Sequence, residues 1–454
     1  MSKSVEDYIE SDERFFPKSF SWKQLPLIVS KAYGSIIEDA YGRKYIDFST
    51  TLANIIGHSH PEVVDALKKQ LEILTSFPTC YFYAEAPSKL AQKLVNITPG
   101  SYKKKIVFGF SGSDAVDMAL TSSIFYTKKK FILSFQGSYH GTTYLSLSTS
   151  EIMAQNDTSK NLLYKNIVFV PYPNPYRNPW NINGYEKPDE LTNTILREIE
   201  KTLKNLNNDF VGVVVEPIQG DGGIIVPPKD FLKELYKIVK SFNGIFIADE
   251  IQTGMGRTGR WWGVEHFSVE PDLMVIGKAL GGCMPLSAVI GKSEVLEAPP
   301  ALGFYLSGHP LSCISALKTV EIIERENLVN RAMVLGNYIL RRLSELSEKF
   351  NIIGDVRGKG LLIGMEIVKD DTSKAPDRKN ALKICWAAWR RGVVAMTVGK
   401  HSNVIRITPA LNVPMDLMER ALEVIEESVK DVVNGKVTND VLSFMKGWNP
   451  RLQD

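Results

Sequence analysis

Cysteine is scarce in this chain: four in 454 residues, and none stands in a CxxC pair. Cys80, Cys283, Cys313 and Cys385 lie far apart, so their spacing suggests neither a metal site nor a redox couple, and reduced thiols in a cytoplasm are expected. No run of 18 apolar residues occurs, and MSKSVEDYIESDERFF at the N-terminus carries acids where a secretion signal needs an apolar segment. A membrane span and export are both unexpected. An excess of one charge is also lacking: 54 Lys and Arg against 51 Asp and Glu leave +3, which gives no electrostatic reason for a nucleic-acid or membrane-surface partner. No helix-turn-helix segment with a basic face precedes residue 34. A small, weakly charged ligand is the partner this balance favours.

What is present is ample core material, 44% hydrophobic residues, enough for two domains or one large one with an appendage. GSIIEDAYGRKYIDF (34–48) alternates apolar and polar side chains around a turn, as a small antiparallel hairpin does. From about 106 to 291, short β-branched and aromatic runs recur: IVFGF (106–110), FILSF (131–135), IVFV (167–170), VGVVV (211–215), IFIAD (245–249), LMVI (273–276) and SAVI (287–290). Helical periods lie between several of them, through Val116, Ala119, Leu120 and Ile124, and through Leu232, Leu235, Tyr236 and Val239. Strand alternating with helix predicts an α/β fold with a mostly parallel central sheet covered by helices. From about 312 helical segments dominate, then VIRITPALNV is extended and a last helix runs near 416–431. The expected division is an N-terminal segment 1–60 joining a small domain, a large domain 61–320, and the remainder of the small α/β domain, 321–454.

Four stretches offer chemistry. GMGRTG (254–259) fits GxGxxG, but RWWGVEHF follows it with no helical period, so a Gly-rich loop is expected and a dinucleotide site is not. Gly277-Lys278 is no P-loop, because Ala279 stands where Ser or Thr must hold magnesium. SGSDA (111–115) ends a strand and opens a helix; its small residues suit a phosphate cradle of first-turn amides, and Ser111 or Ser113 would equally serve as an N-cap. In DEIQTG (249–254) the acids end a central strand, at the crevice where such sheets bind ligands. Lys278 in PDLMVIGKALGG follows another strand among Gly277, Ala279, Gly281 and Gly282, so a planar group can approach an amine whose pKa desolvation lowers. Anion cradle, strand-end acid and strand-end lysine together suit pyridoxal 5′-phosphate, which needs an amine for its aldehyde and an acid for its ring nitrogen.

SGSDA, GSYHG (137–141), EPIQGDGG (216–223), DEIQTGMGRTG and PDLMVIGKALGG, in this order, resemble the class III aminotransferases among fold-type I pyridoxal-phosphate enzymes, from about residue 34 to 431. The resemblance implies Lys278 as the Schiff-base lysine and Asp249 as partner of the pyridinium nitrogen. It implies Gln252 near the phenolic oxygen, Ser111, Gly112 and Ser113 at the phosphate, and Tyr139 stacked on the ring with His140 beside it. Arg406, in NVIRITPAL, matches the arginine that holds a substrate carboxylate. The resemblance also implies a homodimer, or a dimer of dimers, acting on an amino acid and a 2-oxo acid, with a neighbour's threonine at the phosphate. Here Tyr305 stands at that threonine's place and His309 where asparagine is usual, so Tyr305 or Ser307 would supply the contact. A second departure is Asp221, where many family transaminases carry glutamate; aspartate there resembles the racemase and 2-epimerase branch, in which lysine and aspartate flank the cofactor. Transfer of an amino group through Lys278 is the leading expectation, with racemisation by Lys278 and Asp221 as the alternative. The aromatics of SFPTCYFYAEAP (76–87) are read either as a side-chain pocket or as core.

Overall fold

In the computed structural model, residues 5–17, 19, 23–154, 161–445 and 447–448 are described. Seven strands form the central sheet, in the spatial order Lys104–Gly109, Ser287–Lys292, Leu273–Ile276, Ile245–Asp249, Phe210–Val215, Phe131–Phe135, Ile167–Val170. The last five run parallel, and Ser287–Lys292 is antiparallel to both its neighbours. Every residue of Phe210–Val215 and Ile245–Asp249 is buried, which is why these strands read as unbroken apolar runs. Helices Gly112–Thr127, Pro188–Lys204 and Phe231–Ser241 bury their apolar positions beside the sheet. Because the strands ending at Phe135, Val215, Asp249 and Ile276 are parallel, the residues that follow them emerge along one edge. That edge collects Tyr139, Glu216, Asp249 and Lys278.

Two four-stranded sheets complete the fold. In one, the hairpin Ile36–Asp39 and Lys44–Asp47 lies where the sequence places it, and Lys44–Asp47 also pairs in parallel with Val393–Val394 (Ile46 opposite Val393, Asp47 opposite Val394). The other has the order Ile353–Lys359, Leu362–Ile367, Val404–Ile407, Met396–Val398. Its first hairpin, 353–367, departs from the helix-dominated reading of this region. In VRGKGLLIGMEI glycines and charges break the alternation of one strand, and the other is buried on both faces. Helices Pro310–Arg325, Arg378–Arg390 and Met415–Val433 lie where their periodicity indicates.

GMGRTG is a loop, not a helix start, and its cargo is Arg257. That guanidinium is fully buried and donates to the carbonyls of Thr51 (2.8 Å), Leu361 (3.2 Å) and Pro409, tying the large sheet's loop to the N-terminal segment and to the sheet that carries Arg406. Glu250 anchors the same loop. Its carboxylate accepts from the amides of Gly263 and Val264, both at 2.8 Å, and from the Thr253 hydroxyl. Burial outweighs these donors and pushes the carboxyl up to about 7. Since the folded value lies above the ordinary one near 4.5, the protonated acid contributes stability that is present below pH 4.5 and lost as pH rises through 7. Unfolding free energy of the wild-type chain, measured against Glu250→Gln by denaturant titration, is expected to fall by roughly 3 kcal/mol across that window. A pH-independent difference between the two proteins would refute it.

None of the four cysteines is disulfide-bonded. Among the described residues no helix is long and apolar enough to cross a membrane.

Candidate active site

A cavity of about 150 Å³ opens at the strand-end edge, lined by Gly112, Ser113, Tyr139, His140, Gly141, Glu216, Asp249, Ile251, Gln252 and Lys278. The helix Gly112–Thr127 begins at its wall. Ser111 caps that helix by accepting from the Asp114 amide, while the Asp114 carboxylate accepts in return from the amide of Ser111, so the Ser111 hydroxyl serves the cap and does not line the cavity. The cap leaves the first-turn N–H groups of Gly112 and Ser113 without intrahelical acceptors, beside the cavity, at the positive end of a 16-residue helix. Ser113 is drawn inward by the amide of Thr142, which donates to its hydroxyl at 3.0 Å.

Opposite this cradle, Asp249 ends its strand nearly fully buried. One oxygen accepts from the amide of Ile251 (3.1 Å) and the other meets His140 Nδ1 at 2.7 Å. His140 is itself buried, and its Nε2 has no partner. The strand end fixes the acid's depth and the histidine fixes its rotation. Lys278 follows Ile276 by two residues with φ +40°, a left-handed conformation that a side chain with a Cβ rarely adopts. Half-buried at the cavity wall, its amine is pushed below the ordinary lysine range. Burial is the main cause and Arg406 adds to it, against the opposing pull of Asp221, Asp249 and Glu216.

Asp221 and Arg406 adjoin the cavity without forming its wall. Gln252 Nε2 donates to one Asp221 oxygen at 2.6 Å and Arg406 Nη1 to the other at 3.2 Å, and both charged residues are buried. Arg406 Nε remains buried without an acceptor, so the guanidinium fork is only partly used. Gln252 Oε1 also lacks a partner, beside the cavity.

Of the residues singled out from sequence, Gly112, Ser113, Tyr139, His140, Asp249, Gln252 and Lys278 share one cavity, with Asp221 and Arg406 behind Gln252. Tyr305 is not brought to it. It is exposed and stands edge-on to Tyr81, with ring centroids 5.8 Å apart. The aromatics of the 76–87 stretch are not core: Tyr81, Phe82 and Tyr83 are exposed and Phe77 is half-buried, and Phe82 and Tyr83 line a second, open cavity of about 330 Å³ that shares no lining residue with this one. One residue the sequence reading passed over is Glu216. It accepts from the amides of Tyr139 (3.1 Å) and Gly220 (2.8 Å), and its carboxyl is pushed well above the ordinary range by burial and then by repulsion from Asp249. Its signal was the one that marked Asp249, an acid directly after a buried strand.

The sequence model for the family described as Aminotransferase class-III matches residues 19–429. The chain belongs to that family. This class III chain is 40% identical to an alanine/serine racemase of Pyrococcus horikoshii, with 97% of the chain and 93% of the relative aligned. It is 36% identical to a leucine/methionine racemase of Thermococcus litoralis over 98% of the chain and 99% of that protein. It is 35% identical to a probable 4-aminobutyrate aminotransferase of Bacillus subtilis over 92% and 96%. Among solved structures, an amine transaminase from an uncultivated Pseudomonas species, in a PLP-bound form, superposes with a TM-score of 0.82 at 27% identity, covering 89% of this chain and 94% of that one. The class III chain is thus an enzyme of a family that implies pyridoxal 5′-phosphate, and the unpartnered buried atoms His140 Nε2 and Gln252 Oε1, with the two uncommitted amides, fit such a group.

Proposed function

We propose that this class III enzyme holds pyridoxal 5′-phosphate on Lys278 and transfers an amino group between an α-amino acid and a 2-oxo acid. The observation that carries the reading is the meeting, across one cavity, of an amine whose pKa burial lowers, a buried strand-end carboxylate and a helix N-terminus. The amides of Gly112 and Ser113 would hold the phosphate. Asp249, turned by His140, would keep the ring nitrogen protonated; Tyr139 would cover the ring face and Gln252 would donate to its phenolic oxygen. Bound there, the cofactor supplies an aldehyde and an electron-withdrawing ring that acidifies the α-carbon of an attached amino acid.

The chain's own residues do the rest. Arg406 takes the substrate carboxylate with the edge of its fork that Asp221 leaves free. Lys278 Nζ, as free base, accepts the α-proton and holds it on its own side of the substrate. Transfer follows when Nζ returns that proton to a different carbon on the same side. Asp221 serves in this reading as the counter-ion that keeps Arg406 in place between substrates.

A second reading, inversion at the α-carbon, is favoured by the aspartate at position 221 and by the two racemases among the relatives. There Asp221 delivers a proton to the face opposite Lys278. Single L-amino acids in D₂O, with and without a 2-oxo acid, separate the two. Transfer makes product formation depend on the 2-oxo acid; inversion gives α-deuterated D-isomer without one. Protein that stays colourless with added cofactor and forms no borohydride-fixed adduct would end both readings.

The exposed cluster of Tyr81, Phe82, Tyr83, Phe304 and Tyr305 supports a homodimer in which a second copy covers these rings and its own Tyr305 or Ser307 approaches the phosphate. We also propose residues 1–60, 61–320 and 321–454 as the N-terminal segment, large domain and remainder of the small domain, in a cytoplasmic protein.

A further inference from the structure

Asp221 sits in a loop that the large sheet supplies but does not hold alone. Asp221 O accepts from the amide of Gly399 at 2.9 Å. Three residues on, Ile224 is fully buried with φ +53°, a left-handed conformation that is a genuine outlier for a β-branched side chain. Something must hold it there, and the contacts identify what. Arg357 Nε donates to the carbonyls of Gly223 (3.1 Å) and Ile224 (3.0 Å), and its Nη2 to Gly223 O at 2.6 Å.

The sheet's register explains the arrangement. Arg357 lies directly opposite Gly364, and Gly364 directly opposite Arg406, so the three form one row across three antiparallel strands and share a face. Each has a task toward the same loop. Arg357 grips the backbone at 223 and 224. Gly364 leaves the room that Ile224 fills, since a Cβ there would lie 3.0 Å from Ile224 Cβ. Arg406 pairs with the Asp221 side chain. Arg357 is in turn fixed from behind: its Nη1 donates to Asp355 and to Glu366, both at 2.7 Å. Glu366 also accepts from Arg177 (2.8 Å), and Asp355 from the Tyr185 hydroxyl (2.8 Å). A buried guanidinium held on one side by two carboxylates and gripping two carbonyls on the other is a rigid clamp.

We propose that Arg357, backed by Glu366, is a positioning residue that holds the strained 221–224 loop so that Asp221 meets Arg406 and Gln252. This rests on the second reading above, inversion, in which Asp221 is part of the reacting site. It requires Arg357 to act through Asp221 and not through the cofactor pocket, which the clamp does not touch.

The test is a double-mutant cycle on the L-to-D inversion of a single amino acid in D₂O, using holoenzyme throughout. Arg357→Lys keeps a cation facing Glu366 but loses the planar fork. It is expected to leave the absorbance of the Lys278-bound cofactor unchanged and to slow inversion at least tenfold. In an Asp221→Asn background the same substitution is expected to change nothing further. Should Arg357→Lys fail to fold, Glu366→Gln, which only loosens the backing, is expected to give a smaller loss that likewise vanishes beside Asp221→Asn. Inversion at the wild-type rate in the clamp variant, or losses that multiply in the double variant, would overturn the proposal. If Asp221→Asn alone leaves inversion untouched, or the wild type does not invert at all, the reading of Asp221 itself fails, and this proposal with it.

Discussion

Lys278→Ala is expected to lower turnover by on the order of 10³ to 10⁴ while leaving the protein folded and at least as stable. The fall has the size of a lost general base, and the same variant should yield no borohydride-fixed adduct. Stability is spared for physical reasons. Burial already works against the charged amine, as its lowered pKa shows, so removing the ammonium removes a desolvation cost. The two measurements together exclude misfolding as the cause of inactivity. In the wild type, Lys278 is a free amine only once substrate is bound, so kcat should rise with pH as that amine deprotonates, with its midpoint below the ordinary lysine range. A midpoint at or above about 10.4 would contradict the burial that the cavity imposes.

Asp221→Asn is expected to have the second-largest effect, and its form identifies the reaction. The substitution is isosteric but leaves the buried Arg406 without its paired carboxylate, so unfolding free energy should drop by roughly 3 kcal/mol, the scale seen when one partner of a buried pair is removed. An amino-acid substrate brings its own carboxylate to Arg406. Its presence should therefore raise Tm more in the variant than in the wild type. If the chain inverts α-carbons, the variant loses inversion by about 10² to 10⁴, as for a removed proton donor, yet still releases 2-oxo acid in a single turnover from Lys278's side. If it transfers amino groups, turnover survives and KM falls, because the substrate carboxylate on the free edge of the fork no longer meets the negative charge of Asp221 beside it. Equal Tm gains in the two proteins would show that Arg406 does not receive the carboxylate.

Much of this site is legible in the chain because its residues stand at strand ends. Asp249 and Lys278 each close a short β-branched run, and local sequence suffices to place both at the crevice. Glu216 stands in the same relation to Phe210–Val215 and was missed because its neighbour Asp221, set among glycines, drew the interpretation. Arg357 could not be read at all: its carbonyl partners lie 133 and 134 residues away, and VRGKG carries no periodicity to mark it as buried. Tyr305, Tyr81, Phe82 and Tyr83 belong to a third category, large rings whose type suggests burial and which the fold leaves exposed. Glycines misled in one place, where Gly358, Gly360 and Gly364 obscured a hairpin whose register turns out to arrange the Asp221 loop.

The parallel pairing of Lys44–Asp47 with Val393–Val394 has a consequence during synthesis. The first of these strands leaves the ribosome almost 350 residues before the second. At about 5–20 residues per second the N-terminal hairpin spends tens of seconds with an open edge, unable to complete its sheet. Lys278 and Asp249 are translated within that interval, whereas Arg406 arrives only after the edge is closed. The nascent chain thus passes through a state in which Lys278 and Asp249 exist and Arg406 does not, and an unpaired strand in that state is a place for a chaperone, or a second nascent copy, to bind.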